Sequence, residues 1–303
     1  MFAQCSTDNL GNKIPTDTPT SGSINVGADE AFQPFIDASQ EVFSAIYKYS
    51  KIRVRYYSET EAMRELLKDS VRFVVISREP NETELKAFKN LSIKPRVIKI
   101  AIDGVTIITH PENPDSMLTM KQLGQIIKGK TMLWNQIENG KNKGSDKITL
   151  IFDKANSSNL SFMRAKFGLT KKDSVKFFAS NSNKSVIEHV SQNKYSIGVI
   201  GANWVSDADD KQQNRFMKQI KVVAIAESDN PKSIEEYYQP YADYLQQKKY
   251  PLTREIFAVS REARTGLGTG FINFMYSTPG QRIILKQGLM PANPPIRLIN
   301  LTN

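Results

Sequence analysis

The stretch SINVGADEAFQPFIDASQEVFSAIYKYSKIRVRYYS, residues 23–58, decides the fold. SINVGA (23–28) reads as a short strand. Over 30–49, Phe32, Phe35, Ile36, Phe43 and Ile46 recur at close to helical spacing. KIRVRYYS (51–58) reads as a second strand. Strand, helix and strand in succession make a βαβ unit, whose strands lie parallel in one sheet.

The alternation continues outward. TEAMRELLKD (60–69) reads as a helix, RFVVIS (72–77) as a strand and NETELKAFKN (81–90) as a helix with Asn81 and Glu84 at capping-box spacing. RVIKIAIDGVTIITH (96–110) is a long β-rich run broken at Asp103-Gly104. TMKQLGQIIKGK (119–130) is a helix with Thr119 and Gln122 as its capping box, KITLIFD (147–153) a strand, and SNLSFMRAKFG (158–168) a helix ended by Gly168. Further strands are expected at 195–201, 220–226 and 254–260, with helices at 184–193, 267–276 and 279–287. A helical stretch at 233–248 is interrupted by Pro240. TGLGTG (265–270) follows SREAR rather than a strand end, so it reads as the lead-in to a helix and not as a nucleotide loop. The fold class is therefore α/β, with mostly parallel sheets flanked by helices.

Composition narrows the chemistry. The chain has 303 residues, 40% hydrophobic, enough for real cores, and no apolar run long enough for a membrane-spanning helix. Its formal charge of +10 suits acidic partners without choosing among them, because the lysines are scattered. Cys5 is the only cysteine, so no intrachain disulfide forms. His110 and His189 are the only histidines. That excludes zinc sites of the Cys/His type, and neither histidine sits in a recognisable catalytic context. No catalytic residue, metal ligand or cofactor site is expected. MFAQC (1–5) followed by the polar STDNLGNKIPTDTPTSGS (6–23) reads as an anchor and a flexible tether, with Cys5 like the acylated cysteine of a bacterial lipoprotein.

In open α/β sheets the ligand lies beyond the carboxyl ends of the strands. The loops to weigh are thus Ala28-Asp29-Glu30, Ser77-Arg78-Glu79, Asp153 through Asn159, and Gly201-Ala202-Asn203. Helix amino ends offer unpaired N–H groups and a favourable dipole to anions. Asn156, Ser157, Ser158 and Asn159 put hydroxyl and amide donors at such an end, or simply cap it. Arg78 beside Ser77 offers a planar donor fork for an oxyanion, or a salt bridge to Glu79 or Glu82. SNSNKS (180–185) supplies more donors or another cap.

Taken in order, several segments resemble the phosphate-binding protein of the bacterial phosphate ABC transporter, a type II periplasmic solute-binding protein. They are SGSINVGADEAFQPFIDA (21–38), SREPNETEL (77–85), MKQLGQIIKGKTMLWNQI (120–137), YSIGVIG (195–201), YPLTREIFAVS (250–260) and FINFMYSTPGQRIILKQGLMPA (271–292). The resemblance implies two α/β lobes joined by two crossover strands. The lobes are expected at 22–103 with 254–303 and at 104–253, after an anchor and linker at 1–21. It implies a monomeric, non-enzymatic binding protein of the periplasm or cell surface, tethered through Cys5, with an ABC-transporter permease as partner and no role for nucleic acid. Phosphate would be held by Ala28, Asp29, Glu30, Ala31, Ser77, Arg78, Asp153, Asn156, Ser157, Ser158 and Asn159.

Three positions depart from that pattern. Asp153 stands where the family's loop usually has Arg, and Asp29 and Glu30 stand where it commonly has small hydroxyl residues. A carboxylate 4 Å from an anion is repelled by about 4 kcal/mol at an effective dielectric of 20. Two outcomes are expected from this. Either Asp29 or Glu30 points away from the cleft, or the guest differs from plain phosphate: another oxyanion, an amine-bearing solute or an envelope protein.

Overall fold

The computed structural model describes residues 17–170, 177–207 and 209–293. Its spine is the strand Arg96–Thr109, which runs unbroken through Asp103-Gly104. The pair marks a change of partner instead. Up to Gly104 the strand lies antiparallel to the second crossover strand, Thr253–Ser260; from Val105 it lies antiparallel to Ser196–Gly201. Asp103 tolerates burial because Arg254 meets its carboxylate at 2.8 Å. Gly104 is required because a Cβ there would come within 2.5 Å of the Pro240 Cβ.

In the first lobe, Ser21–Asp29 pairs in parallel with Ser50–Tyr57 and Phe73–Ile76, and Phe73–Ile76 pairs antiparallel with Thr253–Ser260. In the second, Thr149–Phe152 lies parallel to both Ser196–Gly201 and Phe178–Ala179. Helices cover both faces of the central strands, so Phe73–Ile76 and Ser196–Gly201 bury successive residues on opposite sides. Phe73 and Val75 enter a core with Phe35, Phe43 and Phe271, while Val74 and Ile76 enter another with Ala62, Leu66 and Phe88. The second lobe repeats the arrangement: Ile107 and Val199 face Leu123 and Trp134, whereas Ile108 and Ile200 face Val186 and Phe216. The buried residues of these cores fall into two sets, 24–101 with 256–289 and 105–252, which is the packing signature of two lobes.

Local signals place most elements. Asn81 with Glu84, and Thr119 with Gln122, form the expected capping boxes, and Gly168 follows the helix Ser158–Lys166 at φ +63. As expected, TGLGTG opens the helix Leu267–Tyr276, with Gly266 at its N-cap; position 270 needs glycine because a Cβ there would sit 1.8 Å from the Pro19 carbonyl oxygen. Three further readings need correction. The 220–226 segment is two strands: Lys221–Val222 joins the crossover strand, and Ala224–Ala226 pairs with Met117–Thr119. The 233–248 stretch is a short 3-10 turn, Ile234–Glu236, and the helix Ala242–Gln246; Pro240, with no N–H to donate, lies between them. Residues 17–23 are not tether: Asp17–Thr18 pairs with Ser21 and Gly22, and the Asp17 carboxylate accepts the Leu267 N–H at 3.0 Å. Cys5 lies outside the described residues.

Candidate functional site

The loops that leave the parallel strands meet between the lobes. Ser157 caps the helix Ser158–Lys166 by accepting the Leu160 N–H at 3.2 Å. Ser158, 1% exposed, turns its hydroxyl to the other lobe, donating to Asp29 Oδ1 at 3.0 Å and accepting from Arg254 Nη1 at 3.0 Å. Asn156 donates to the Ser58 hydroxyl at 3.1 Å. Asn159 donates to Asn183 Oδ1 at 3.0 Å.

Asn183, the first residue of the helix Asn183–Gln192, joins the two lobes. Its backbone N–H lies 3.2 Å from both Glu30 oxygens, and its Nδ2 donates to Glu30 Oε2 at 2.5 Å and Asp153 Oδ2 at 3.4 Å. Close by, Asn203 Nδ2 and Trp204 Nε1 both donate to the Ala31 carbonyl, at 2.9 and 3.0 Å. The lobes are therefore closed on one another through side chains of the predicted loops.

Neither Asp29 nor Glu30 points away, contrary to the first of the two outcomes expected. Each crosses to the opposite lobe. Asp29 also caps the turn that follows it, accepting the Ala31 N–H at 2.9 Å, so this amide is already occupied. Ala28 is a fully buried strand residue paired with Val75 and Tyr56. On the other flank, Ser77 donates to Glu59 Oε2 at 3.1 Å. Arg78 is not an open fork. Its Nε lies 2.9 Å from Glu59, and its two Nη atoms bond Glu84 at 2.7 and 2.8 Å. The salt-bridge alternative was right in kind, with Glu59 and Glu84 as partners rather than Glu79 or Glu82.

Three participants were not singled out from the sequence. Glu59 opens the helix Glu59–Leu67 and looks like an ordinary first-turn acid. Arg254 lies in the strand Thr253–Ser260 between Thr253 and Glu255, and a charge on the same strand face as Leu252 and Ile256 was its only signal. Asn183 lay inside SNSNKS, flagged only as extra donors or a cap.

The site is electrostatically loaded. Burial pushes Asp29 up to about 7, helped by the charges of Glu59 and Asp153 and opposed by Arg254. Burial likewise raises Glu30 to about 7 against the pull of its Asn183 bonds. Glu59 and Asp153 are also raised, by burial first, with Arg78 and the Ser157 hydroxyl opposing. Asp29 Oδ2, Asp153 Oδ1 and Asn159 Oδ1 are buried and meet no donor. Near neutral pH Asp29 and Glu30 are therefore placed to donate or accept a proton. Among the described residues no group of His, Cys, Asp and Glu is arranged to hold a metal ion.

Two lobes, two crossover strands and an interlobe site made from strand-end loops define a binding protein of the type II periplasmic class. Residues 14–279 match the model described as PBP superfamily domain, and the chain belongs to that family. It is 23% identical to the phosphate-binding protein PstS of Pseudomonas aeruginosa, over 89% of this chain and 83% of that one. It is also 23% identical to PstS of Staphylococcus epidermidis, over 86% and 76%. Among solved structures, a putative phosphate ABC transporter substrate-binding protein with bound phosphate from Clostridium perfringens superposes with TM-score 0.75 at 21% identity, covering 89% of this chain and all of that one. An ABC-type phosphate transport receptor from Vibrio cholerae superposes with TM-score 0.64 at 21% identity, over 88% and 99%. Among the described residues no helix is long and apolar enough to cross a membrane.

Proposed function

We propose that this chain is an extracytoplasmic solute-binding protein that captures phosphate between lobes 22–103 with 254–303 and 104–253, for delivery to an ABC-transporter permease. Cys5, once acylated, would tether it to the membrane surface. The observation that carries the reading is the buried amino end of the helix Ser158–Lys166, seated between the lobes in a chain related to phosphate-binding proteins. Ser157, Ser158, Asn156 and Asn159 bring donors to that end. Opening the lobes frees Ser158 from Asp29, and Asn183 from Glu30, for a guest. The acidic residues are compatible with an anion because Asp29 and Glu30 are half-neutral near pH 7 and can give a proton to, or take one from, a phosphate oxygen.

A second reading rests on the same carboxylates. Orphaned acceptors on Asp29 and Asp153 suit a guest rich in donors, such as an amine-bearing solute. A thermal-shift panel of phosphate, sulfate, molybdate and amino acids decides between the two. A guest at a hundredfold excess over its Kd stabilises the protein by about 2.7 kcal/mol. Phosphate giving the largest shift supports the first reading; an amine-bearing solute shifting the melt while phosphate does not overturns it.

A further inference from the structure

One cation sits within reach of most of the buried acids. Arg254 lies where the second crossover strand meets the first, with its side chain 3% exposed. Its Nε donates to Asp103 Oδ2 at 2.8 Å and its Nη1 to Ser158 Oγ at 3.0 Å, while the guanidinium carbon lies 4.9 Å from the centre of the Phe32 ring. Nη2 also lies 2.8 Å from Asp103 Oδ2, yet its N–H groups meet no acceptor in hydrogen-bond geometry. A buried guanidinium donor without an acceptor is costly to leave unmade. Arg254 also lowers the proton affinity of Asp29, Glu59 and Asp153 alike, so its field reaches three of the buried acids.

The guanidinium on the other flank of the site has no such freedom. Arg78 bonds Glu84 with both Nη atoms and faces Glu59 with Nε. The partnerless donor and the partnerless acceptors belong to one connected set. Arg254 holds Ser158, Ser158 holds Asp29, and Asp29 Oδ2 is open. A small molecule carrying both an anionic oxygen and hydroxyl groups would satisfy both kinds of atom.

We propose that Arg254 is the residue that meets the anionic oxygen of the guest, and that its Asp103 anchor places this contact on the crossover strands themselves. The assignment deepens the phosphate reading and rests on it. A ligand held by Arg254 touches the point where the first crossover strand changes lobes, so binding and lobe closure share one group.

The test uses inorganic phosphate and the full chain. Arg254→Lys keeps the charge but removes the fork, and phosphate affinity should fall about ten- to a hundredfold, as expected for loss of a charge-assisted bond. Because altering a buried ion pair can impair folding, a second measurement uses the unaltered protein. Arginine-selective 15N labelling should show the buried Arg254 side-chain signals moving as phosphate is added. Unchanged affinity in Arg254→Lys, or Arg254 signals that stay fixed while phosphate binds, overturns the assignment alone. A wild-type protein that binds no phosphate overturns the reading beneath it, and the assignment with it.

Discussion

Replacing Asp29 by Asn tests whether burial governs this site. Asp29 is 1% exposed, and its carboxyl is raised from the ordinary 3.8 to about 7. In the unfolded chain it ionises near its ordinary value; in the folded chain it keeps its proton until about 7. Between those values the folded state binds more protons than the unfolded one, so stability falls as pH rises and levels off above about 7. The gap is worth about 4 kcal/mol at pH 8. Asp29→Asn removes that penalty while its amide oxygen can still accept from the Ala31 N–H and the Ser158 hydroxyl, as Oδ1 does now. The ligand-free variant should therefore match wild type near pH 4 and exceed it by up to about 4 kcal/mol at pH 8. Urea denaturation at pH 4, 6 and 8 measures this directly. Equal stabilities at pH 8, or a difference that does not shrink toward pH 4, would refute the argument that an ionised Asp29 is held against its solvation.

Other substitutions probe other links. Asn183→Ala removes the Nδ2 donor that bonds Glu30 and Asp153 while keeping the backbone N–H to Glu30; it should cost about 1–3 kcal/mol and enlarge the ligand-free radius of gyration in small-angle scattering, and an unchanged radius would mean these side-chain bonds do not hold the lobes together. Arg78→Gln leaves Glu59, 6% exposed, without its ion partner; a loss of about 2–3 kcal/mol is expected in denaturation, below the usual cost of a fully buried pair because Arg78 is itself one-third exposed, with phosphate affinity little changed in calorimetry. Gly270→Ala forces a Cβ against the Pro19 carbonyl oxygen, 1.8 Å away; it should destabilise by about 1–3 kcal/mol and raise amide exchange in the Asp17–Thr18 strand, whereas protection equal to wild type would mean the helix shifts freely.

Much of the fold was legible because its causes are local. Asn81 with Glu84 and Thr119 with Gln122 announce helix starts by bonds that span three residues. The continuous apolar run Phe73-Val74-Val75-Ile76 announces a strand buried on both faces. Asp103-Gly104 misled because an Asp-Gly pair ordinarily signals a turn. Here Arg254, distant in sequence, neutralises the Asp, and Pro240 fills the space a side chain would need. The strand 220–226 misled because its apolar run is continuous while Val222 and Ala224 belong to different sheets.

The site divides along the same line. The sequence by itself determined which loops would face the cleft, since the carboxyl end of a parallel strand follows from strand direction alone. It also determined that serines and asparagines would stand at the helix ends there. Only the tertiary structure decided which of those groups are spoken for. Ser158 meets Asp29 across 129 residues, and Asn183 meets Glu30 across 153. Arg78 is filled by Glu59 and Glu84, while Arg254 arrives from a strand nearly a hundred residues beyond Ser158 with a donor to spare. Hydrogen bonds form wherever a donor and an acceptor are brought within reach, and no local spacing encodes which distant group the second lobe will deliver.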